Sequence, residues 1–328
     1  MLGGGHGFLQ GQYGLLADQL INARIILGNG TIVTASKTSH ADLFWAIRGA
    51  GHNFGIVTEY TLRVYDAQSD DTWAFQQFIF AGKQLDQLYT AVNTMKKSQP
   101  AQVVEWGFIT RMPVLDPVNP VIIYTILYDG PLSVAKKYSA PIRNLSALQT
   151  DSREVPYLAL PGLTGNGGND IACQKGATLL RFPIYLESVN VTALQQVYDA
   201  FDQMMVQQPA FNNSFFLVEG YSVQGVQKVP ADSTAFPHRG VHMLLTPVMV
   251  YLPDAKLDVA AVKHGQHLRE LLLQGSGSTE LKAYVNYAHG DESLGSMYGF
   301  EPWRLDRLRK LKKLYDPEEK FSFYAPIH

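Results

Sequence analysis

The sequence predicts an α+β protein in which an antiparallel sheet carries helices on one face. Between residues 70 and 282 the predicted strands outnumber the predicted helices. Two neighbouring pairs of strands lack the helix that a parallel crossover requires, so we expect antiparallel pairing. At 328 residues the chain exceeds the usual size of a single domain, and we expect two domains.

The first part of the chain predicts a β-β-α-β block. Its elements are expected over residues 23–27, 31–34, 41–47 and 55–64. Asn29-Gly30 favours the positive φ of a tight hairpin turn, and Gly49 is a natural end for the helix. The last strand is rich in Ile, Val, Thr and Tyr. This block is too small to close a core alone, so it fits half of a larger domain.

The middle of the chain alternates strands with amphipathic helices. Strands are predicted over residues 73–80, 103–110, 121–127, 177–186, 214–220, 241–251 and 281–287. Helices are predicted over residues 83–97, 132–143, 191–207 and 255–274.

A last helix is predicted over residues 302–315. Its leucines recur at three-residue steps and predict one buried stripe beside a solvated cationic face: Leu305, Leu308, Leu311 and Leu314. The helix should stop before Asp316-Pro317, because the residue preceding a proline avoids helical geometry.

Composition excludes several functional classes. A net charge of -2 gives no basic footprint and argues against nucleic acid as the main partner. No apolar run approaches the ~20 residues that a membrane helix needs, so no membrane partner is expected. The single cysteine, Cys173, excludes an internal disulfide framework. We predict no metal site, because the His264, His267 and Glu270 spacing matches no ligand motif.

Three aromatic or polar residues near the C terminus are candidates for chemistry. On the predicted strand, Tyr284 and Asn286 share one face while Tyr287 points to the other, unless a bulge intervenes. A tyrosine can act as a base only if its pKa falls from its reference value of ~10. The alternative for each tyrosine is a packing role with a hydrogen-bonded tip.

Histidine and glycine residues supply the other candidates. His238 can titrate near neutrality and move a proton, or it can be fixed by neighbouring backbone groups. Glycines accept positive φ and let backbone N–H groups approach a ligand, so the loop over residues 3–14 can cradle a cofactor. By itself that loop fits a plain glycine turn better, because its spacing is not the dinucleotide-binding fingerprint and no strand leads into it.

Motifs at both ends of the chain resemble one family. The order of Tyr284-Val285-Asn286-Tyr287, the helix over 303–315 and the segment 321–327 resembles the C-terminal end of berberine-bridge-enzyme-like, FAD-linked oxidases of the vanillyl-alcohol-oxidase/PCMH-type superfamily. Residues 3–18 resemble that family's second glycine-rich flavin loop, and residues 49–58 resemble a third segment that contacts the cofactor. Residues 236–239 match a signature of its substrate domain.

The resemblance implies a domain organisation and a cofactor. Residues 1–66 and 288–328 would form a truncated PCMH-type FAD-binding domain, and residues 67–287 an antiparallel substrate-binding domain. FAD would be contacted by Gly4, Gly5, His6, Gly7, Gly11, Gly14, Gly51, Asn53, Gly55, Ile56, Val57 and Asn286. In such oxidases the histidine that bonds to the flavin precedes this loop. We therefore expect a chain that begins partway through the FAD domain, with FAD not covalently attached; His6 matches the loop histidine.

The implied activity is that of an FAD-dependent oxidase acting on a small molecule, in secondary metabolism, with oxygen as the electron acceptor. Tyr284, Tyr287 and His238 are the candidate catalytic residues. The glutamate base of some relatives corresponds here to Thr246, which cannot serve as a base, and Glu219 is a further candidate. The alternatives are a flavin-free cyclase, dehydratase or small-molecule binder, and a gene-model fragment without function. Four Asn-x-Ser/Thr sequons would permit glycosylation of a secreted form.

Overall fold

A computed structural model describes residues 1–67, 71–167 and 175–328, and Cys173 lies outside these ranges. The strands are β1 Leu20–Ile26, β2 Ile32–Ser36, β3 Ile56–Leu62, β4 Thr72–Ala81, β5 Val103–Thr110, β6 Val121–Asp129, β7 Gln149–Pro156, β8 Thr178–Arg181, β9 Ile184–Leu186, β10 Phe215–Tyr221 and β11 Met243–Tyr251. The α-helices are α1 Gln10–Tyr13, α2 Ala41–Ala50, α3 Leu85–Lys96, α4 Leu132–Tyr138, α5 Ala140–Arg143, α6 Leu160–Leu163, α7 Val191–Gln207, α8 Gln224–Gln227, α9 Ala255–Ser276, α10 Leu294–Tyr298 and α11 Pro302–Tyr315.

The chain divides into two compact units, and the first contains both ends of the chain. Unit 1 comprises Met1–Asp66, Val223–Val241 and Glu280–His328, and unit 2 comprises Ala67–Ser222 and His242–Thr279. Residues 223–241 and 280–287, which the sequence placed in the substrate domain, therefore lie in unit 1. The boundaries of the two functional domains stay a prediction.

Unit 1 is built on a three-stranded antiparallel sheet of order β2-β1-β3. The predicted hairpin is present, with Ile26 opposite Ile32 and Gly30 at a φ of 83°. Helix α2 packs on this sheet through a row of buried side chains, and α11 completes the same apolar core with Leu308 and Leu311. The core of unit 1 is therefore closed by segments from both ends of the chain.

Helix α11 has the predicted bounds, but its buried face differs from the prediction. Leu308 and Leu311 are buried, whereas Leu314 is 63% exposed. A three-residue step falls roughly 60° short of a full turn, so four leucines at that step drift around the helix. Arg304 and Lys312 are buried as well, so the expectation of a fully solvated cationic face was wrong.

Unit 2 is an eight-stranded antiparallel sheet with helices on one face. Its order is β7-β4-β6-β5-β10-β11-β8, and β9 also pairs with β11. Glu105 and Tyr251 lie on the face that contacts helices: Glu105 bonds to Lys96 of α3, and Tyr251 bonds to Asp258 of α9. The opposite face carries Glu219 and its neighbour on β5, Trp106. The predicted α+β class is confirmed.

Most elements of unit 2 follow the sequence prediction, and β5 and α7 match it to the residue. The predicted strand over 177–186 is divided into β8 and β9, and the predicted helix over 132–143 into α4 and α5. Strand β7 was not predicted. The predicted strand over 281–287 is wrong, because Val285–Tyr287 forms a short 3-10 helix.

The described residues contain neither a membrane-spanning helix nor a metal-binding cluster. None of the described helices combines the length and apolar character that a membrane span requires. Within the same residues no group of three or more His, Cys, Asp or Glu side chains is arranged to hold a metal ion.

Candidate active site

The phenol oxygen of Tyr284 is the focus of the site in unit 1. It accepts hydrogen bonds from the backbone N–H of Gly5 at 3.1 Å and of His6 at 3.4 Å. The side-chain amide of Asn286 donates a third bond at 2.7 Å. Tyr284 is 4% exposed. The glycine loop and the C-terminal segment, 278 residues apart in sequence, therefore meet on one oxygen atom.

Glycine is required where the loop comes closest to that segment. Gly4 and Gly5 have φ values of 115° and 89°, which residues with a side chain rarely adopt. A Cβ at Gly3 would lie 2.0 Å from the side-chain oxygen of Asn286, and one at Gly4 would lie 2.7 Å from the Phe236 ring. A Cβ at Gly7 would have no atom within 4 Å, so open space adjoins the loop there.

His6 adds a neutral ring to the site. Its ring lies 4.6 Å from that of Tyr284, and Nδ1 is 2.6 Å from the side-chain oxygen of Gln10. Burial lowers the pKa of His6 to about 4, against a smaller opposing effect of the Gln10 hydrogen bond. His6 is therefore uncharged at neutral pH.

Tyr287 lies beside Tyr284 rather than across a strand from it. The two rings are 5.1 Å apart, and the backbone N–H of Tyr287 donates to the carbonyl of Tyr284. The 3-10 turn replaces strand alternation with a tight bend, so the expected opposite orientation of Tyr287 was wrong. Tyr284, Asn286 and Tyr287 are brought together by this turn.

His238 is held by backbone in this structure. Its Nε2 lies 2.8 Å from the carbonyl of Ser296 in α10, and burial lowers its pKa to about 4. The bond assigns the proton to Nε2, because a carbonyl can only accept. The neighbouring Arg239 forms a bidentate ion pair with Asp18, at 2.8 and 3.1 Å. The segment 236–239 thus anchors the glycine loop region to the C-terminal segment.

Residues 49–58, which the resemblance predicts to contact the cofactor, include both buried and exposed members. Asn53 uses its side chain within unit 1: Nδ2 donates to Tyr298 and to the Ala325 carbonyl, and Oδ1 accepts from Ile327. A Cβ at Gly55 would lie 2.6 Å from the Ile26 carbonyl, so this glycine permits strand contact.

The other residues predicted to contact the cofactor also differ in how exposed they are. Ile56 is 59% exposed, Val57 is partly buried and Gly51 is buried. Gly11 is buried in α1, which packs on α8, and a Cβ at Gly14 would lie 3.3 Å from the Gly225 carbonyl. Gly11 and Gly14 therefore have a packing function in unit 1.

Sequence reasoning missed two aromatic residues of this region. His52 lies 5.5 Å, ring to ring, from Tyr324, and its Nε2 is 2.8 Å from the Tyr298 hydroxyl. Tyr324 donates to the carbonyl of Val285, the first residue of the 3-10 turn, and to that of Ala288, which follows the turn. Burial lowers the pKa of His52 to about 4. The adjoining motifs were the only sequence signal for these two residues.

The residues present fit the planar ring of a flavin. The aromatic rings of His6, Tyr284 and Tyr287 are neighbours at the 3-10 turn, and Tyr324, which bonds to the turn, is a neighbour of His52. The backbone of the glycine loop adjoins open space at Gly7. Flat aromatic side chains and a backbone without side chains suit a large ring that must be approached closely.

Comparisons with known proteins agree with this geometry. The family model described as "Berberine and berberine like" matches residues 283–328. The chain is 42% identical to the FAD-linked oxidoreductase chyH of Penicillium rubens, covering 99% of this chain and 66% of that protein. It is 38% identical to the FAD-linked oxidoreductase anuG of Penicillium roqueforti, covering 99% and 64%. The chain spans about two thirds of the length of the curated relatives it matches.

Solved structures show the same fold. BBE-like 1 of Physcomitrella patens superposes with a TM-score of 0.82 at 22% identity, covering 100% of this chain and 69% of that chain. The xylooligosaccharide oxidase of Myceliophthora thermophila gives a TM-score of 0.80 at 22% identity, covering 100% and 70%. With its C-terminal motif matched by the family model and its whole length matched by FAD-linked oxidoreductases, the chain belongs to the berberine-bridge-enzyme-like family.

Proposed function

We propose that this protein is an FAD-dependent oxidoreductase of the oxidase type, acting on a small molecule of secondary metabolism with oxygen as the electron acceptor. The observation that carries the proposal is the set of three donors on the phenol oxygen of Tyr284. Family membership supports FAD as the cofactor. When bound, FAD supplies the two-electron acceptor that an oxidation requires.

In this proposal Tyr284 holds and moves the proton. Hydrogen bonds donated to an oxygen stabilise its anionic form over its neutral form. The amides of Gly5 and His6 and the side chain of Asn286 therefore favour a Tyr284 that accepts a proton from the substrate. Tyr287 orients the neighbouring ring, because the two lie in edge contact.

His238 has a positioning role in the proposal. Its Nε2–H is directed at a backbone carbonyl and its ring stays neutral at physiological pH. A histidine held in this way fixes the segment 236–239 against the glycine loop. Phe236 of this segment contacts Gly4 of the loop. Its replacement should change stability more than chemistry.

FAD is held without a covalent bond in our proposal. His6, the loop histidine, is occupied by its contact with Gln10 and by the Tyr284 ring. Intact mass spectrometry of the 328-residue chain should give the mass of the polypeptide alone. A mass higher by one FAD would exclude non-covalent binding.

The function is tested by adding FAD to the purified chain and measuring flavin fluorescence, oxygen uptake and peroxide release with panels of alcohols and amines. We expect saturable quenching of the flavin and peroxide equal to the substrate oxidised. Product formed without oxygen uptake would identify the flavin-free enzyme instead. Absence of both flavin binding and turnover over the panel would contradict the proposal.

A further inference from the structure

A cleft opens within unit 1 at one end of its three-stranded sheet. Its volume is about 800 Å³. The start of β1, the residues that follow β2 and Arg63 after β3 form its walls, because the antiparallel register places these ends together. Lys228 and Ser233 close another side. This volume is in the range of small-molecule sites, roughly 300–1,000 Å³.

The walls carry an excess of positive charge. Lys37, Arg48, Arg63 and Lys228 line the cleft, and among the described residues of its lining only Asp18 is acidic. The charge of Asp18 is neutralised by Arg239, a residue that does not line the cleft and that donates to both carboxylate oxygens. None of the four lining cations forms an ion pair with a carboxylate in the described ranges. The whole chain has a net charge of -2, so this concentration is local.

Arg48 is fixed in position before any ligand arrives. Its Nε donates to the Phe44 carbonyl at 3.1 Å, and one terminal nitrogen, Nη2, donates to the Ser233 carbonyl at 2.6 Å. The guanidinium also lies 4.3 Å from the centre of the Phe44 ring. The second terminal nitrogen, Nη1, bonds to nothing in the described part of the chain. A guanidinium held in this way loses little conformational entropy when it binds an anion.

The electrostatic surroundings of Arg48 favour an anion. The pKa of Arg48 is lowered to about 10, chiefly by burial; the charge of Asp18 opposes this shift and the charge of Arg239 adds to it. A partly buried cation without a carboxylate of its own is stabilised by an anionic ligand. Planar guanidinium groups match phosphate oxygens with two parallel hydrogen bonds, and lysines add point charges.

We propose that this cleft binds a phosphate-bearing small molecule, at a site separate from that of the flavin. The candidate active site is lined by neutral rings and backbone amides, and none of the four cations belongs to it. Four cations around one cleft suit a ligand with more than one negative charge, such as a diphosphate. FAD also contains a diphosphate. Competition between FAD and pyrophosphate therefore tests whether the cleft and the flavin site are separate.

The test is calorimetric titration of inorganic pyrophosphate into the full chain at low ionic strength. Lys37→Gln combined with Lys228→Gln removes two exposed cleft charges whose side chains bond to no residue that the structure describes. Lys83→Gln combined with Lys256→Gln removes two exposed charges from unit 2 and is the matched control. We expect the cleft pair to weaken pyrophosphate binding by at least about tenfold. The control pair should change it less than about twofold, and the melting temperatures of both variants should stay at the value of the parent.

The titration is repeated with the chain saturated with FAD, and an unchanged affinity for pyrophosphate is expected. Loss of pyrophosphate binding in the presence of FAD would overturn the separate site. No saturable binding to the parent chain would overturn the proposal as a whole. Equal weakening by the cleft and control pairs would do so too, because it would show attraction by overall surface charge.

Discussion

The side-chain amide of Asn286 donates to the phenol oxygen of Tyr284 over 2.7 Å, although only Val285 separates them in sequence. The 3-10 turn bends the chain so that a residue and its second neighbour face each other. The same oxygen accepts hydrogen bonds from two backbone amides of the glycine loop. One hydroxyl therefore links the loop, the turn and the proposed chemistry.

Tyr284→Phe should lower both activity and stability. Removal of the oxygen leaves the partly buried backbone donors of Gly5 and His6 without that acceptor, which costs about 1–3 kcal/mol of unfolding free energy. Turnover should fall by about 10²–10⁴-fold, the usual effect of losing a general base. Urea denaturation and oxygen uptake measure the two effects. Tyr60→Phe, at a tyrosine that is 55% exposed, is the matched control. Full turnover in Tyr284→Phe would leave Tyr284 with a packing role only.

Arg304→Met should destabilise unit 1. Arg304 is completely buried in α11 and donates to the carbonyls of Thr234 at 2.9 Å and Ala231 at 3.1 Å. Methionine fills similar volume but leaves both carbonyls unsatisfied, so we expect a loss of about 3 kcal/mol. Limited proteolysis should then cut within residues 228–236. Arg309→Met, at a side chain that is 42% exposed, is the control and should keep parental stability.

Stability should rise with pH between about 4 and about 6.5. The pKa values of His6, His52 and His238 are each lowered to about 4, chiefly by burial, whereas an unfolded histidine has a pKa near ~6.5. In that window the unfolded chain binds more protons, so acidification favours unfolding. Urea midpoints at a series of pH values measure the slope. His238→Gln should make this slope smaller, whereas His267→Gln, at an exposed residue, should leave it unchanged. Equal slopes in the parent and both variants would contradict the attribution of the pH dependence to buried histidines.

Asp316→Asn should weaken the protein at neutral pH and flatten its acid limb below about 4. Burial alone raises the pKa of Asp316, but hydrogen bonds from Lys312 and from the amides of Phe321 and Lys320 outweigh it and leave the pKa below its usual value. A carboxylate with a lowered pKa stabilises the fold above its unfolded pKa, and this contribution is lost as the pH falls through the folded value.

The Asp316 substitution leaves the buried Lys312 without its partner at 2.7 Å, so the neutral-pH loss should be about 3–5 kcal/mol. Asp306→Asn, at a side chain that is 64% exposed, is the matched control. Thermal melts at pH 7 and pH 3 provide the measurement. Identical acid limbs in the parent and Asp316→Asn would contradict the role given to this pair.

Regular elements were predictable because their signals are local. Helix α11 begins at Pro302 and ends before Asp316-Pro317, and backbone chemistry alone sets those limits. Residues 284–287 were not predictable in this way. Tyrosine and valine favour strands, but here the amide of Ala283 bonds to the Ser296 carbonyl, and no strand of the described ranges pairs with the segment. Tertiary contacts decided that conformation.

The sequence supplied candidate residues for the site but not the geometry in which they meet. Motifs identified Gly5, His6, Tyr284 and Asn286, whereas their meeting on one oxygen depends on contacts across more than 270 residues. The cationic cleft gave no sequence signal, because its lysines and arginines come from separate segments. Spacing along the chain carries no information about charges brought together by folding.

The three-segment construction of unit 1 has a consequence for biosynthesis. Its core requires Leu308 and Leu311 against α2, and Asp18 meets Arg239 across 221 positions. Such distant pairings carry a large loop-closure entropy and are slow to form. During translation the core of unit 1 therefore cannot close until α11 has left the ribosome. A pause or truncation before residue 302 would leave the apolar side of α2 open to aggregation, so nascent chains of this protein should depend on chaperones until α11 has been made.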